Sequence, residues 1–322
     1  MFDSDAGVTG QQGSGRVTGD GGPQAHRWEA GQGGEPFEDG LPLATDAPGV
    51  YLFPAGFERV IGLLRTGIAA MAAAEPFRRL AIPPVISRRT IEQAGYVKAF
   101  PQLLGTVHSF PGDSRAWARL APRAEVGGDW HGEQQITDLV LLPAACYPVY
   151  GTLAGRALEH PARFAVEAHC FRQEATSEPG RLRSFRMAEL VTAGTAEHCA
   201  DWRGAWLDRV AGWLADLSLK VGVEVADDPF FGPGRKLYQA AQRAQELKLE
   251  LRVPVSGDQE QAVASANYHK DHFGETFGFT CGGAVGHTAC MAFGLERIAL
   301  ALVNVHGPDP RRWPAGVTAQ LG

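Results

Sequence analysis

The chain has 322 residues, 44% hydrophobic and 20% charged, a globular balance that excludes a fibrous or wholly disordered protein. A formal net charge of −6 argues against a protein whose main work is gripping nucleic acid, since that affinity comes from neutralising phosphates, but leaves room for a few placed arginines holding a small anion. The most apolar stretch, Val60 to Ala74, is interrupted by Arg65 and too short for a membrane span, no signal segment opens the chain, and five scattered cysteines make no disulfide framework, so a cytoplasmic protein is expected.

Eleven of the forty glycines fall in the first forty residues, with few large apolar side chains, so residues 1–46 are expected to be a disordered tail. Beyond it, Phe57, Ile61, Leu64, Ile68 and Met71 recur at helical spacing after Pro54. The run Ala81 to Arg88 is β-like but broken by Pro83-Pro84, which places it at an edge, a bend or a subunit boundary. A helical stretch over 90–99 and short strands at 107–110 and 139–142 follow. Two strands, 165–172 and 184–191, flank a polar loop holding Ser177, Pro179 and Gly180. Trp202, Trp206, Val210, Trp213 and Leu217 form a second helical stripe. A helix over 236–248 leads into the alternating strand 249–253. A glycine-rich strand-like block, 277–293, then turns at Gly294 into a helix over 295–305. Residues 47–316 read as one α+β domain dominated by antiparallel strands, with 317–322 as a C-terminal tail.

Two short patterns carry chemistry. On a strand, Arg172 and Glu174 share a face; the guanidinium fork suits a phosphate, and the carboxylate beside it can accept from an exocyclic amine or hold a metal. Alone, Arg-x-Glu is more often a surface ion pair. In Gly294-Leu295-Glu296-Arg297 the arginine lies in the first turn of a helix, where it opposes the dipole and calls for a nearby anion.

Together these patterns resemble motifs two and three of class II aminoacyl-tRNA synthetases, and the Pro83-Pro84 run resembles motif one, which forms the family's dimer interface. More narrowly, residues 143–147 (PAACY), 170–174 (CFRQE), 184–189 (SFRMAE), 267–274 (NYHKDHFG) and 286–297 (GHTACMAFGLER) resemble the amino acid:[carrier protein] ligases, kin of the archaeal-type seryl-tRNA synthetases, over roughly 49–310. The resemblance implies a mainly antiparallel sheet flanked by helices in a homodimer. It implies ATP-dependent activation of a small amino acid, glycine or alanine, and transfer to the phosphopantetheine thiol of a carrier protein. By position, Arg172 matches the arginine on the α-phosphate, Glu174 the acidic residue near adenine, Phe185 the ring on which adenine stacks, and Arg297 the arginine on the γ-phosphate; Glu250 is the candidate Mg²⁺ ligand.

Cys146, Glu189 and Cys281 fall where the family places its zinc ligands. Two thiolates and a carboxylate leave a position open for the substrate's α-amino group, a catalytic rather than structural arrangement. Without the resemblance, Cys146 and Cys281 read as ordinary buried cysteines, as Cys170, Cys199 and Cys290 do here. Asn267, His269 and His272 read as a polar strand and loop near the nucleotide. A seryl-tRNA synthetase and a catalytically silent amino-acid-binding paralogue are the alternatives. The missing tRNA-binding arm makes tRNA the less expected acceptor, and the intact arginines argue against a silent protein. Arg203, Arg209 and Lys220, on or just after the tryptophan helix, are the candidate docking charges for an acidic carrier protein.

Overall fold

The computed structural model describes residues 40–174 and 180–322, so residues 1–39 of the expected tail and loop residues 175–179 lie outside it. Ordered structure starts before the expected boundary: β1 (Leu43–Ala44) and β2 (Tyr51–Leu52) form a hairpin with Leu43 opposite Leu52. Helix α1 (Ala55–Ala72) follows Pro54 and buries Phe57, Ile61, Leu64 and Ile68. Strands β3 (Arg78–Ala81) and β4 (Val85–Ser87) flank the proline pair and belong to different sheets, because two residues without N–H donors cannot continue one ladder. The stretch expected as one helix is α2 (Arg88–Gln93) and α3 (Tyr96–Ala99), divided at Gly95 with φ +76°. Between β5 (Thr106–Ser109) and β6 (Gln135–Leu141) lies α4 (Ser114–Glu125), a helix capped by Asp113 with no buried residue, which the sequence reading did not assign.

Helix α5 (Tyr147–Thr152) and β7 (Ala157–Leu158) precede the long hairpin β8 (Ala162–Phe171) and β9 (Ser184–Gly194), paired from Ala162 opposite Ala193 to Phe171 opposite Ser184. The tryptophan stripe lies on α6 (Ala196–Asp216). After β10 (Gly222–Val225), α7 (Arg235–Ala244) ends four residues before the expected limit, where Glu246 takes φ +48° and turns the chain into β11 (Lys248–Ser256). Strand β12 (Gln259–Lys270), α8 (His272–Phe277), β13 (Thr280–Cys281), β14 (Ala284–Val285) and β15 (His287–Gly294) lead to α9 (Leu295–His306). The expected C-terminal tail is instead helical: α10 (Ala315–Leu321) buries Val317 and Leu321.

The central sheet has the order β10-β11-β12-β15-β9-β8-β3 and is antiparallel except for β3 beside β8. Two three-stranded sheets, β14-β13-β7 and β4-β6-β5, lie apart from it. This is the expected α+β, class II synthetase-like architecture. Strand β9 is buried on both faces, and its alternation divides the core. Ala188 and Leu190 pack with α1, α6, α9 and α10; Met187, Val191 and Ala193 pack with α2, α5 and α8. Phe185, Met187 and Glu189 share parity along the strand, and all three line cavities.

Candidate active site

Arg172, Glu174, Phe185, Glu250 and Arg297 all line one cavity on the sheet, so the five nucleotide residues read from the sequence converge. Arg172 leaves the end of β8; its backbone N–H donates to the Arg183 carbonyl at 2.9 Å, and its guanidinium lies 5.5 Å from the Phe185 ring centroid. Its Nε is buried without an acceptor among the described residues, beside the cavity. Arg297 is fixed by donating from Nε to the Gly180 carbonyl and from Nη1 to the Ala262 carbonyl, both at 2.8 Å. Burial, reinforced by Arg172 and Arg181, pushes Arg297 down to about 10, which still leaves it charged at neutral pH. Three arginines crowded in this way favour a polyanion between them.

Glu250 sits among cations: Lys248 Nζ at 3.1 Å and Arg252 Nη1 at 3.6 Å. Lys248 also reaches Asp228 at 2.8 Å. Burial works against both charges of that pair. Even so, the lysine is held above its ordinary range by Asp228 and Glu250, and Asp228 below its own chiefly by Lys248. The sequence reading missed Lys248 and Asp228; the alternation of β11 placed Lys248 beside Glu250 and was the available signal.

Behind the cavity, Arg186 joins three elements. Its backbone N–H donates to Glu296 Oε2 at 2.8 Å, its Nε to Glu296 Oε1 at 2.7 Å, and its Nη1 to Glu58 Oε2 at 2.7 Å. Arg186 is 5% exposed and Glu296 1%, so this is a buried ion pair between the residues next to Phe185 and Arg297.

Among the described residues, the cluster that could hold a metal differs from the expected set by one residue. Cys146, Glu189 and Cys290 are all buried, and their ligand atoms lie within 4.8 Å of one another. Cys281 is not among them. It ends β13, beside the turn at Gly282 and Gly283 (φ +61° and +83°), in the small sheet with β7 and β14. Cys290 is on β15 of the central sheet, opposite Val191, and packs in the same core as Cys146. Counting back from Gly294 in steps of two along the strand puts Ala292 and Cys290 on one face.

Glu189 is 2% exposed, and its Oε1 accepts the Cys146 backbone N–H at 3.0 Å. Burial raises the pKa of its carboxyl against the pull of both cysteines and the backbone donors. A carboxylate facing two thiols in so dry a place is stabilised as an anion by a cation among them, and two sulfurs with one oxygen are zinc-type donors. The residues present therefore fit zinc.

These residues line a second cavity of about 380 Å³, which shares Arg172, Met187, Lys248, Ser265 and Ala292 with the first. Asn267, His269 and His272 line this second cavity and not the nucleotide one, a correction to the sequence reading. Asn267 Nδ2 approaches Cys290 Sγ at 3.4 Å, and His269 Nε2 approaches it at 3.8 Å. Burial pushes His269 down to about 4, so the ring is neutral. On α6, Arg203 donates to the Glu246 carbonyl, and Arg209 lies 4.5 Å over the Trp206 ring and 3.5 Å from Glu75. Two of the three expected docking charges thus already have partners within the chain, and the third, Lys220, is exposed.

No family model matches the chain. It is 41% identical over 288 residues to amino acid–[acyl-carrier-protein] ligase 1 of Bradyrhizobium diazoefficiens, covering 88% of each protein. It is 40% identical over 289 residues to ligase 2 of the same organism, covering 88% of this chain and 86% of that one. The type-2 serine–tRNA ligase of Methanococcus aeolicus is 30% identical over 194 residues, 57% of this chain but 37% of that protein. Among solved structures, the M. kandleri seryl-tRNA synthetase, in complex with A. aeolicus tRNASec, superposes with a TM-score of 0.75 at 20% identity, over 88% of this chain and 59% of that one. The ATP complex of the Pyrococcus horikoshii seryl-tRNA synthetase gives 0.59 at 15%, over 81% and 54%. The structures share the fold of the class II catalytic core, and the two bacterial relatives match nearly the whole chain. The chain belongs to the amino acid–[acyl-carrier-protein] ligases.

Proposed function

We propose that this protein activates a small amino acid, glycine or alanine, with ATP and transfers it to the phosphopantetheine thiol of a carrier protein. The observation that carries this reading is the shared wall between the arginine-lined cavity and the Cys146–Glu189–Cys290 cavity, with Arg172 belonging to both. A nucleotide in the first and an amino acid in the second would meet at Arg172. There a carboxylate oxygen attacks the α-phosphorus, the bond to the bridging oxygen breaks, and pyrophosphate leaves. In the second step the carrier thiolate attacks the carbonyl carbon of the adenylate and AMP leaves.

Neither step needs a covalent bond to the enzyme; alignment and charge on phosphate oxygens carry the rate. In this reading Arg172 holds the α-phosphate, Arg297 the γ-phosphate, Phe185 the adenine face and Glu174 its amino group. Glu250 anchors Mg²⁺. Cys146, Glu189 and Cys290 would hold Zn²⁺, which supplies a Lewis-acid position for the substrate's free amine and so selects amino acids over plain acids. Tyr147 and Phe273, stacked edge to face at 6.0 Å, wall this cavity and limit the side chain it admits. A homodimer through the Pro83-Pro84 region belongs to the same reading, and five buried free cysteines fit a reducing cytoplasm.

The test is ATP–pyrophosphate exchange across the amino acids, followed by transfer to a phosphopantetheinylated carrier protein or to tRNA. Exchange confined to small amino acids, abolished by a zinc chelator and restored by zinc, with label passing to the carrier protein, is expected. Label on tRNA instead would return the chain to the synthetase reading, and no exchange with any amino acid would defeat both.

A further inference from the structure

We propose that Asn267 is a positioning residue for the Cys290 thiolate; the inference rests on reading the triad as a zinc site. Two thiolates and a carboxylate bring three negative charges to a doubly charged ion, leaving one net negative charge in a fully buried place. Such a charge needs hydrogen-bond donors around it.

Two of the three ligands have one. Asn267 stands opposite Cys290 in the β12–β15 ladder, and its Nδ2 donates to Cys290 Sγ at 3.4 Å and to Ser265 Oγ at 3.2 Å. The two hydrogens of the amide nitrogen match the two acceptors. The opposite amide orientation would aim a carbonyl oxygen at a thiolate that can only accept, so the metal-bound state selects the orientation seen. Glu189 takes the Cys146 backbone N–H. Donors of this kind draw electron density from the ligand and fix the direction of its lone pair.

The experiment measures zinc affinity of the full chain by competition with a chromophoric chelator at fixed pH, with Co²⁺ substitution as a spectroscopic readout. Asn267→Leu is expected to weaken zinc binding about 10-fold to 100-fold. It should also move the thiolate-to-cobalt charge-transfer band to longer wavelength, since a sulfur without its donor gives up an electron more readily. Asn267→Asp, which keeps the side-chain shape but sets an acceptor against the thiolate, is expected to do the same if the leucine variant fails to fold. Cys281→Ser should bind zinc as the parent does. Parent protein that retains no zinc, or a Cys281→Ser variant that loses it, defeats the triad itself. Parent protein that binds zinc while Asn267→Leu and Asn267→Asp bind it equally, with unmoved cobalt bands, overturns the positioning role alone.

Discussion

Arg172 meets the cavity with a buried Nε that has no acceptor among the described residues, and it belongs to both cavities. Arg172→Ala should therefore lower pyrophosphate exchange about 10²–10³-fold, roughly 2.7–4 kcal/mol, the cost of losing one preorganised donor to developing charge. Arg172→Lys should recover only part of it, because an ammonium keeps the charge but not the planar fork. Zinc content should not change in either variant. Arg172, Glu174, Phe185 and Arg297 were named from the resemblance of their motifs, and they line one cavity. The third member of the candidate metal cluster was not named. Cys281 and Cys290 are both buried. What separates them is the turn at Gly282-Gly283, which ends one strand before the next begins, and then the parity along β15.

At the scale of elements, Arg186 ties the start of β9 to the first turn of α9 through Glu296 and to α1 through Glu58. Arg186→Met would leave Glu296 buried without its cation, and breaking a buried pair from one side costs about 3–5 kcal/mol. Chemical denaturation should show that loss, and the KM for ATP should rise as Phe185 and Arg297 lose their common brace. Lys248 and Asp228 make a second tie, between β11 and the segment before α7. Asp228 is depressed, so its stabilising charge is present above the ordinary carboxylate range and is lost as pH falls through the depressed value. Lys248→Met removes its cation and raises that value. The acid limb of both stability and exchange activity should then move to higher pH; an unmoved limb would mean the pair is not coupled to the site. Neither tie was legible in the sequence, because each pairs residues twenty or more positions apart whose meeting depends on the sheet order.

Across the whole molecule the sheet divides chemistry from support. The face with Phe185 and Glu189 carries the two cavities of the candidate site, while α1, α6, α9 and α10 back the other face. Helical stripes on α1 and α6 announced that backing, whereas α10 was read as a tail because seven residues are too few to show a period. Yet Leu321 is fully buried and Trp213 Nε1 donates to the Gln320 carbonyl at 3.3 Å. Gly67 on α1 lets α10 approach: a Cβ there would lie 2.9 Å from the Gln320 carbonyl oxygen and 3.1 Å from the Trp213 ring. Leu321→Ala should cost about 2–5 kcal/mol through lost burial and an unfilled cavity, and Gly67→Ala should destabilise by prising the same helix outward. Both variants should melt several degrees lower, at about 2–4 °C per kcal/mol or somewhat less for a chain of this size. Because neither residue lines a cavity, kcat and the KM values for ATP and amino acid at 25 °C should match the parent. A change in those constants at unchanged melting temperature would mean that the helical layer reaches through the sheet to the site.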